Sequence, residues 1–142
     1  MRVVGEIVNG IKTIKVFNQG KMKRDFTFID DIVEAIYRCC MKPATIDAEF
    51  NHLSPNPSTS SAPHRIFNLG NSQPTKLLEF IETLEDSLGV KAKKEFMPMQ
   101  PGDVEETAAD ISKLNKATGF IPSTSIEIGI PKFISWYRKF HN

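Results

Sequence analysis

Arg24 is the side chain best suited to hold an anionic ligand. It follows Gly20 within the run GKMKRDFTFIDD at residues 20–31. A guanidinium forks onto phosphate oxygens, and each such charge-assisted bond contributes roughly 1.5–3 kcal/mol. Spacing alone gives a slight preference to another role, an ion pair with Asp25, Asp30 or Asp31. Both roles require a rigid element that fixes the arginine.

Two further polar residues are candidates for binding, and each has a purely structural alternative. Asn68 stands shortly before Gly70 and can donate to a ligand or cap the following turn. Asp103, directly after Gly102, can accept two sugar hydroxyls or close a turn through backbone N–H groups. None of these residues is specific by itself.

The residue types that perform catalysis are not arranged in any recognisable set. The sequence has no nucleophile elbow, no Cys/His pairing, no metal-ligand spacing and no G-x-G-x-x-G turn after a strand. Neither Tyr37 nor Tyr137 has a lysine four residues later, so a tyrosine–lysine acid/base pair is lacking. We expect His52, His64 and His141 to be surface residues. The sequence therefore predicts no catalytic residue and no metal site.

Length and composition fit one globular domain over residues 1–142. The net charge of +1 argues against nucleic acid as a partner. No apolar run approaches the roughly 20 residues that span a bilayer, which argues against a membrane. Cys39 and Cys40 are adjacent and unsuited to a disulfide, so we expect them in the core of a cytoplasmic protein. The basic cluster at residues 91–94 is expected to be a solvated strand edge.

The elements around Arg24 are predicted to form a hairpin followed by a helix. Residues 14–17 and 26–29 are short strand candidates, joined by a polar segment that contains Gly20. Asp30 or Asp31 should cap a helix that runs to about residue 42 and presents an apolar face. Asp31 with Glu34 resembles a capping box. This hairpin would present Arg24 beside a glycine-containing loop.

The other elements alternate between helices and strands. Helices are predicted for residues 1–9, 77–88, 110–118 and from 124 onward, and strands for residues 65–69 and 90–97. Residues 44–63, rich in Asn, Ser, Thr and Pro, should form a surface loop. A capping box at residues 124–127 opens the last helix, which Pro131 should kink or restart. We expect an α/β fold with a small mixed sheet of short strands and four to five packed helices.

Four motifs, taken together and in order, carry a resemblance to a known family. They are GKMKRDFTFIDD at 20–31, FNLGNS at 67–72, MPMQPGDV at 97–104 and ADISKL at 109–114. The sequence resembles the C-terminal, sugar-nucleotide-binding part of extended short-chain dehydrogenase/reductases, and within them the bacterial and plant UDP-glucuronate 4-epimerases. The resemblance covers essentially this whole chain but only the later part of the family's length.

The resemblance implies a substrate-binding role for individual residues. Arg24 matches the arginine that contacts the diphosphate of a UDP-sugar. Val16 and Phe17 match the strand that lies against the uracil. Asn68 matches a polar residue near the phosphates, and Asp103 matches the acid that binds the ribose. On this basis the preference for Arg24 moves from an ion pair to a diphosphate clamp.

Gln100 and Pro131 are the two positions where the sequence departs from related enzymes. Gln100 falls where the galactose-type epimerases carry a second phosphate-binding arginine, and glutamine is usual in the glucuronate subgroup. Gln100 is therefore also expected at the substrate. Pro131 replaces the helical residues expected there and affects the straightness of the last helix, away from the site.

The resemblance also implies what this chain lacks. In the family an N-terminal Rossmann domain holds NAD and a Tyr-x-x-x-Lys pair, and both would lie upstream of Met1. We therefore expect the chain to bind a UDP-sugar, to bind no NAD alone and to be inactive alone in UDP-glucuronate/UDP-galacturonate interconversion for polysaccharide biosynthesis. The alternatives are a non-catalytic module that pairs with a separate NAD-binding chain or with itself, or part of a sugar-nucleotide dehydratase or decarboxylase.

Overall fold

Short strands and α-helices alternate along the chain in the computed structural model, which describes residues 13–141. The strands are β1 (Thr13–Val16), β2 (Lys23–Arg24), β3 (Thr75–Lys76) and β4 (Lys93–Phe96). The helices are α1 (Ile29–Cys40), α2 (Leu77–Leu88), α3 (Ser112–Thr118) and α4 (Ile126–His141), with a short 3-10 turn at Asn18–Gly20. The α/β prediction is confirmed. The helix predicted for residues 1–9 lies outside the described residues.

The strands pair in two separate two-stranded sheets. β1 runs parallel to β4, and β2 runs antiparallel to β3. The predicted hairpin between residues 14–17 and 26–29 is therefore wrong, because its first strand pairs with β4. Residues 26–28 form no strand; Phe26 instead stacks on Phe80 of α2, with 3.9 Å between ring centroids. Ile29 already begins a helix.

The main core lies between the β1–β4 sheet and the helices α2 and α4. Ile14 and Val16 alternate with exposed residues along β1, as expected for a strand with one buried face. The apolar positions of α2 recur at helical spacing, and Gly89 ends this helix in the left-handed region, as predicted. The core cluster comprises Ile14, Val16, Ile81, Leu84, Leu88, Ala92, Ile130 and Ile134.

The capping box predicted for α1 is wrong. The helix begins at Ile29 after an extended Phe28, and no side chain caps it. The Asp31 carboxylate accepts hydrogen bonds from the backbone N–H groups of Ser123 and Thr124 (3.2 and 2.9 Å), which lie far along the chain. Glu34 forms an ion pair with Arg38 one turn later in the same helix, with 2.6 Å between Glu34 Oε1 and Arg38 Nε. Tertiary contacts have replaced the local cap.

The predicted apolar face of α1 exists, but the described residues leave most of it exposed. Ala35 is the buried residue of this helix. Side chains spaced at helical intervals along the exposed face are each more than half accessible to solvent: Ile29, Val33, Ile36, Tyr37 and Met41. Cys40 is exposed and Cys39 half-buried, so the prediction that both pack in the core is wrong.

The segment predicted as a buried strand at residues 65–69 is not a strand. Arg65 forms an isolated bridge with Thr59, and the Ile66 N–H donates to the Ser58 carbonyl oxygen at 3.1 Å. This backbone therefore pairs with the surface loop at residues 44–63, which forms turns and bends without helix or paired strand beyond that bridge. Ile66 is exposed for the same reason.

The last two helices agree with prediction in position and differ at their N-termini. Asp110 accepts a hydrogen bond from the Ser112 N–H at 2.9 Å, although Ile111 occupies the capping position of α3. Ser125, one residue later than predicted, precedes α4, and hydrogen bonding with its side chain lowers the pKa of Glu127. α4 continues through Pro131 without restarting.

The basic cluster at residues 91–94 is more than a solvated edge. The Glu85 carboxylate, on α2 and only 2% exposed as a residue, accepts hydrogen bonds from the Lys94 ammonium (2.6 Å) and the Ala92 N–H (3.0 Å). Lys91 lies 3.6 Å from the same carboxylate. Burial alone would raise the pKa of Glu85, but these bonds and lysine charges together hold it below its ordinary value. The cluster therefore compensates a buried carboxylate.

Candidate functional site

The candidate site is built around β2, which is flanked on both sides. β3 pairs with one side of β2, with Arg24 opposite Thr75. On the other side the backbone at residues 105–107 lies alongside Lys23: the Lys23 N–H donates to Glu105 (2.8 Å), and the Thr107 N–H donates to Lys23 (3.3 Å). Arg24 is therefore fixed by a strand and by a segment more than 80 positions away.

Arg24 and Asp103, two residues predicted to bind substrate, are in direct contact. Arg24 Nη2 donates to Asp103 Oδ1 at 2.9 Å, and the two side chains are 23% and 32% exposed. Arg24 Nη1 donates to the carbonyl oxygens of Lys23 (2.8 Å) and Glu105 (3.2 Å). The predicted ion pair with Asp25, Asp30 or Asp31 is wrong. Three oxygen atoms, two from backbone carbonyls and one from Asp103, therefore accept hydrogen bonds from Arg24 and orient its guanidinium.

Asp25 joins three segments of the site, a role that the sequence interpretation missed. Its carboxylate accepts backbone N–H groups from Asn71 (3.0 Å), Ser72 (3.0 Å) and Ala109 (2.9 Å). Its own N–H donates to the Thr107 hydroxyl at 3.2 Å. A carboxylate that follows the arginine directly and accepts three N–H groups holds the neighbouring loops against β2.

Gly70 makes the approach of Asp25 possible. A Cβ atom at Gly70 would lie 2.6 Å from Asp25 Oδ2 and 2.5 Å from the Ala109 Cβ, both far inside van der Waals contact. Ser72, two residues later, has a φ of 57°, which is uncommon for a residue with a side chain. The turn at residues 70–72 is thus shaped to bring its N–H groups to the Asp25 carboxylate.

Val16 and Phe17 lie where β1 ends and a left-handed turn begins. The Val16 side chain is buried in the core, so only its backbone can meet a ligand. Phe17 is half-buried, and the next residues, Asn18 and Gln19, have φ values of 49° and 50°. The Gln19 N–H donates to the Met97 carbonyl oxygen at 3.1 Å. Backbone in this sparsely populated region costs free energy and is enriched at functional sites.

Gln100 and Asn68 flank this arrangement on loops. The Asp103 N–H donates to the Gln100 carbonyl oxygen at 3.2 Å, so both residues belong to one turn, with Gly102 at a φ of 82°. Asn68 is exposed and precedes the turn that binds Asp25. The structure therefore brings Arg24 and Asp103 into direct contact and places Gln100 in the same turn as Asp103.

The described residues lack the arrangements needed for several other kinds of site. Between residues 13 and 141, no group of three or more His, Cys, Asp or Glu side chains could hold a metal ion. No two glycines in this range are close enough in sequence to form the G-x-G-x-x-G turn that holds a dinucleotide in Rossmann folds. Over the same range, the helices are too short or too polar to cross a bilayer.

Comparison with protein families identifies the chain. Residues 1–133 match the family model described as GDP-mannose 4,6 dehydratase. The chain belongs to this family. The predicted resemblance to the C-terminal part of NAD-dependent nucleotide-sugar epimerases, of the extended short-chain dehydrogenase/reductase type, is confirmed by this match and by the relatives and solved structures below.

The relatives that this chain matches are much longer than the chain. Protein CapI of Staphylococcus aureus is 45% identical over 135 residues, which cover 95% of this chain and 40% of that protein. A probable UDP-glucuronate 4-epimerase of Rhizobium meliloti is 41% identical over 140 residues, with 96% and 40% coverage. The chain thus spans about two fifths of the length of these relatives.

Solved structures of the same fold include sugar-nucleotide enzymes with bound ligands. A UDP-glucuronic acid 4-epimerase from Bacillus cereus, in complex with UDP-glucuronic acid and NAD, has a TM-score of 0.75 at 23% identity. The match covers 99% of this chain and 39% of that one. A UDP-glucose 4-epimerase from Bifidobacterium longum, with NAD+ and UDP, has a TM-score of 0.72. At this level of identity the comparison establishes the fold.

Proposed function

We propose that this chain is the substrate-binding portion of a nucleotide-sugar 4-epimerase that interconverts UDP-glucuronate and UDP-galacturonate in the cytoplasm. The proposal rests above all on the Arg24–Asp103 contact. Two residues singled out for the diphosphate and the ribose, 79 positions apart, meet at 2.9 Å. A UDP-sugar carries these two groups next to each other, so adjacent binding residues match its chemistry.

The chain's own residues would bind and orient the nucleotide. The Arg24 guanidinium supplies charge-assisted donors to a diphosphate, and the Asp103 carboxylate accepts the ribose hydroxyls. Its bond to Arg24 holds both groups in position before the ligand arrives, which lowers the entropy cost of binding. The backbone at Val16 and Phe17 would lie against the uracil, although its carbonyl oxygens already accept the N–H groups of Met97 (2.9 Å) and Gly20 (3.0 Å). Asn68 and Gln100 would add polar contacts beside the phosphates.

NAD would be held outside residues 13–141, which carry no fitting dinucleotide turn. When bound in such an enzyme, NAD supplies the hydride chemistry of epimerisation. The chain by itself would orient a sugar nucleotide without transforming it, since positioning alone provides neither a base nor a hydride acceptor. Its single domain would then combine with a further, NAD-binding portion.

The exposed face of α1 favours a second candidate, a non-catalytic module. The exposed side chains of this helix form an apolar stripe, which another protein surface would cover on contact. They are Ile29, Val33, Ile36 and Tyr37. The partner would be a separate NAD-binding chain or a second copy. Sedimentation of the chain and of Val33→Glu distinguishes the cases. Self-association that rises with concentration and is lost in Val33→Glu supports the module, whereas a monomer at all concentrations contradicts self-pairing.

Within the enzyme class, a sugar-nucleotide dehydratase or decarboxylase is the remaining alternative. The description of the matching family model is that of a dehydratase. The reacting residues that separate these activities would lie outside the residues that the structure describes. UDP-glucuronate and GDP-mannose distinguish the proposed epimerase from a GDP-mannose dehydratase as ligands, because the base and the sugar differ. Preferential binding of GDP-mannose would favour the dehydratase.

Calorimetric titration with UDP, followed by an epimerase assay, tests the proposal. Half a site should bind UDP with a dissociation constant on the order of millimolar, equivalent to roughly −4 kcal/mol. With NAD and UDP-glucuronate present, no UDP-galacturonate should form. Micromolar binding would contradict the estimate of affinity, and product formation would contradict inactivity of the isolated chain.

A further inference from the structure

A groove with three basic side chains in its lining lies outside the candidate site, between the surface loop, residues 65–67 and helix α3. Its volume is about 360 Å³. The residues that line it are Asn56, Ser58, Thr59, Arg65, Ile66, Phe67, Lys113, Lys116 and Ala117. None of the six residues assigned to the UDP-sugar belongs to this set. The groove can therefore be tested independently of the proposed function.

The charge of this groove has one sign. Arg65, Lys113 and Lys116 contribute three positive charges, and no acidic residue lines the groove. Within residues 13–141, none of these three cations lies within 4.0 Å of a carboxylate oxygen. Asp110 lies near Lys113. Hydrogen bonding with Ser112 and the positive charge of Lys113 lower the pKa of Asp110. The lining itself therefore carries a net positive charge.

The walls of the groove are held in place by contacts between its three segments. Lys113 Nζ donates to Ser58 Oγ at 2.7 Å, which ties α3 to the loop. The Ile66 N–H donates to the Ser58 carbonyl oxygen at 3.1 Å, and the backbone of Arg65 forms an isolated β-bridge with Thr59. Ser58 therefore connects the loop with both other walls. These contacts define the groove without any ligand.

The chemistry of the lining specifies the class of ligand. A guanidinium and two ammonium groups in one lining suit a dianionic phosphate, which an arginine can bind through two parallel hydrogen bonds. Ile66, Phe67 and Ala117 provide an apolar wall for the organic part of the molecule. We propose that this groove binds a small phosphomonoester, with Arg65, Lys113 and Lys116 at the phosphate and Phe67 against the attached ring.

Amide chemical-shift mapping of the full chain tests this site with three probes: inorganic phosphate, glucose 1-phosphate and adenosine monophosphate. Either phosphomonoester should shift amides at residues 58–59, 65–67 and 113–117 and bind more tightly than inorganic phosphate. The stronger of the two identifies the source as a sugar phosphate or a nucleotide. Glucose without phosphate should produce no shifts there.

Variants separate the groove from general charge effects. Arg65→Gln and Lys116→Gln should each weaken binding of the phosphomonoester roughly tenfold, since each removes a charged partner of the phosphate. Lys139→Gln, which removes an exposed lysine of α4 outside the groove, should leave the affinity unchanged. Unchanged amide spectra elsewhere establish that the variants are folded.

Three results would overturn the proposal. They are the absence of shifts in the groove with all probes, equal loss of affinity in Lys139→Gln and Arg65→Gln, or equally strong binding by glucose alone. Shifts confined to residues 16–24 and 100–103 would place the phosphate in the candidate UDP-sugar site instead. That outcome would reject the groove and leave the proposed function standing.

Discussion

The Arg24 guanidinium donates a 2.9 Å hydrogen bond to the Asp103 carboxylate, across 79 positions of the chain. Both side chains remain partly accessible, so a ligand can reach them. An ion pair this exposed contributes little to stability, at most about 1 kcal/mol. Its main consequence is geometric, because it places side by side the two side chains that we propose bind the phosphate and the hydroxyl groups of a ligand.

Asp25→Asn should destabilise the protein by about 2–3 kcal/mol. The Asp25 carboxylate accepts three backbone N–H groups, and an amide would turn one of its two oxygens into a donor facing a donor. Chemical denaturation measures the change in the free energy of unfolding. Asp110→Asn is the matched control, since the exposed Asp110 carboxylate accepts the N–H of Ser112 at a helix end, where an asparagine oxygen can accept the same bond; its cost should be clearly smaller than that of Asp25→Asn. Equal costs would contradict the role of Asp25.

Gly70→Ala should destabilise by about 1–3 kcal/mol through overpacking, because the new Cβ would meet the Ala109 Cβ at 2.5 Å. A double-mutant cycle with Ala109→Gly isolates this contact. The cost of Gly70→Ala should be smaller in the Ala109→Gly background. Gly102→Ala, whose Cβ would meet nothing within 4 Å, should cost the same in both backgrounds. Strict additivity for Gly70 would exclude the proposed clash.

Much of the fold could be predicted where it depends on local sequence. The apolar spacing of α2 and the stop at Gly89 follow from residues within a few turns of one another, and both predictions are confirmed. The errors concern partners far along the chain. The sequence predicts that Asp31 caps its own helix. Its carboxylate instead accepts the backbone N–H groups of Ser123 and Thr124, some 90 positions away.

The candidate site likewise combines a residue that could be predicted from local sequence with contacts that could not. Arg24 could be recognised from its motif, but its partner could not, because three acidic residues nearby in sequence competed with the distant Asp103. Asp25 was considered only as a partner for Arg24, since nothing local indicates that its carboxylate accepts N–H groups from residues 71, 72 and 109. Pairwise long-range contacts of this kind are set by the assembled fold.

Glu85→Gln should lower stability at neutral pH by about 2 kcal/mol, because it breaks a buried hydrogen-bonded ion pair with Lys94. The folded-state pKa of Glu85 lies below its ordinary value of 4.5. Its ionised form therefore stabilises the fold above about pH 4.5, and this contribution disappears as the pH falls through the folded-state value.

Thermal melts between about pH 3 and pH 7 measure this dependence. The wild-type protein should lose more stability on acidification than Glu85→Gln, so that the two curves converge at low pH. Glu82→Gln, on the exposed side of the same helix, should follow the wild-type curve. Parallel curves for wild type and Glu85→Gln would contradict the assignment.

Amide chemical-shift mapping with UDP tests the central claim most directly. For the wild-type chain we predict shifts at residues 16–17, 24, 68 and 100–103, with affinity reduced roughly tenfold in Arg24→Gln and unchanged in Lys139→Gln. The claim would be contradicted if UDP shifted amides elsewhere in the described chain and not at these residues, or if Arg24→Gln bound UDP as tightly as the wild-type protein.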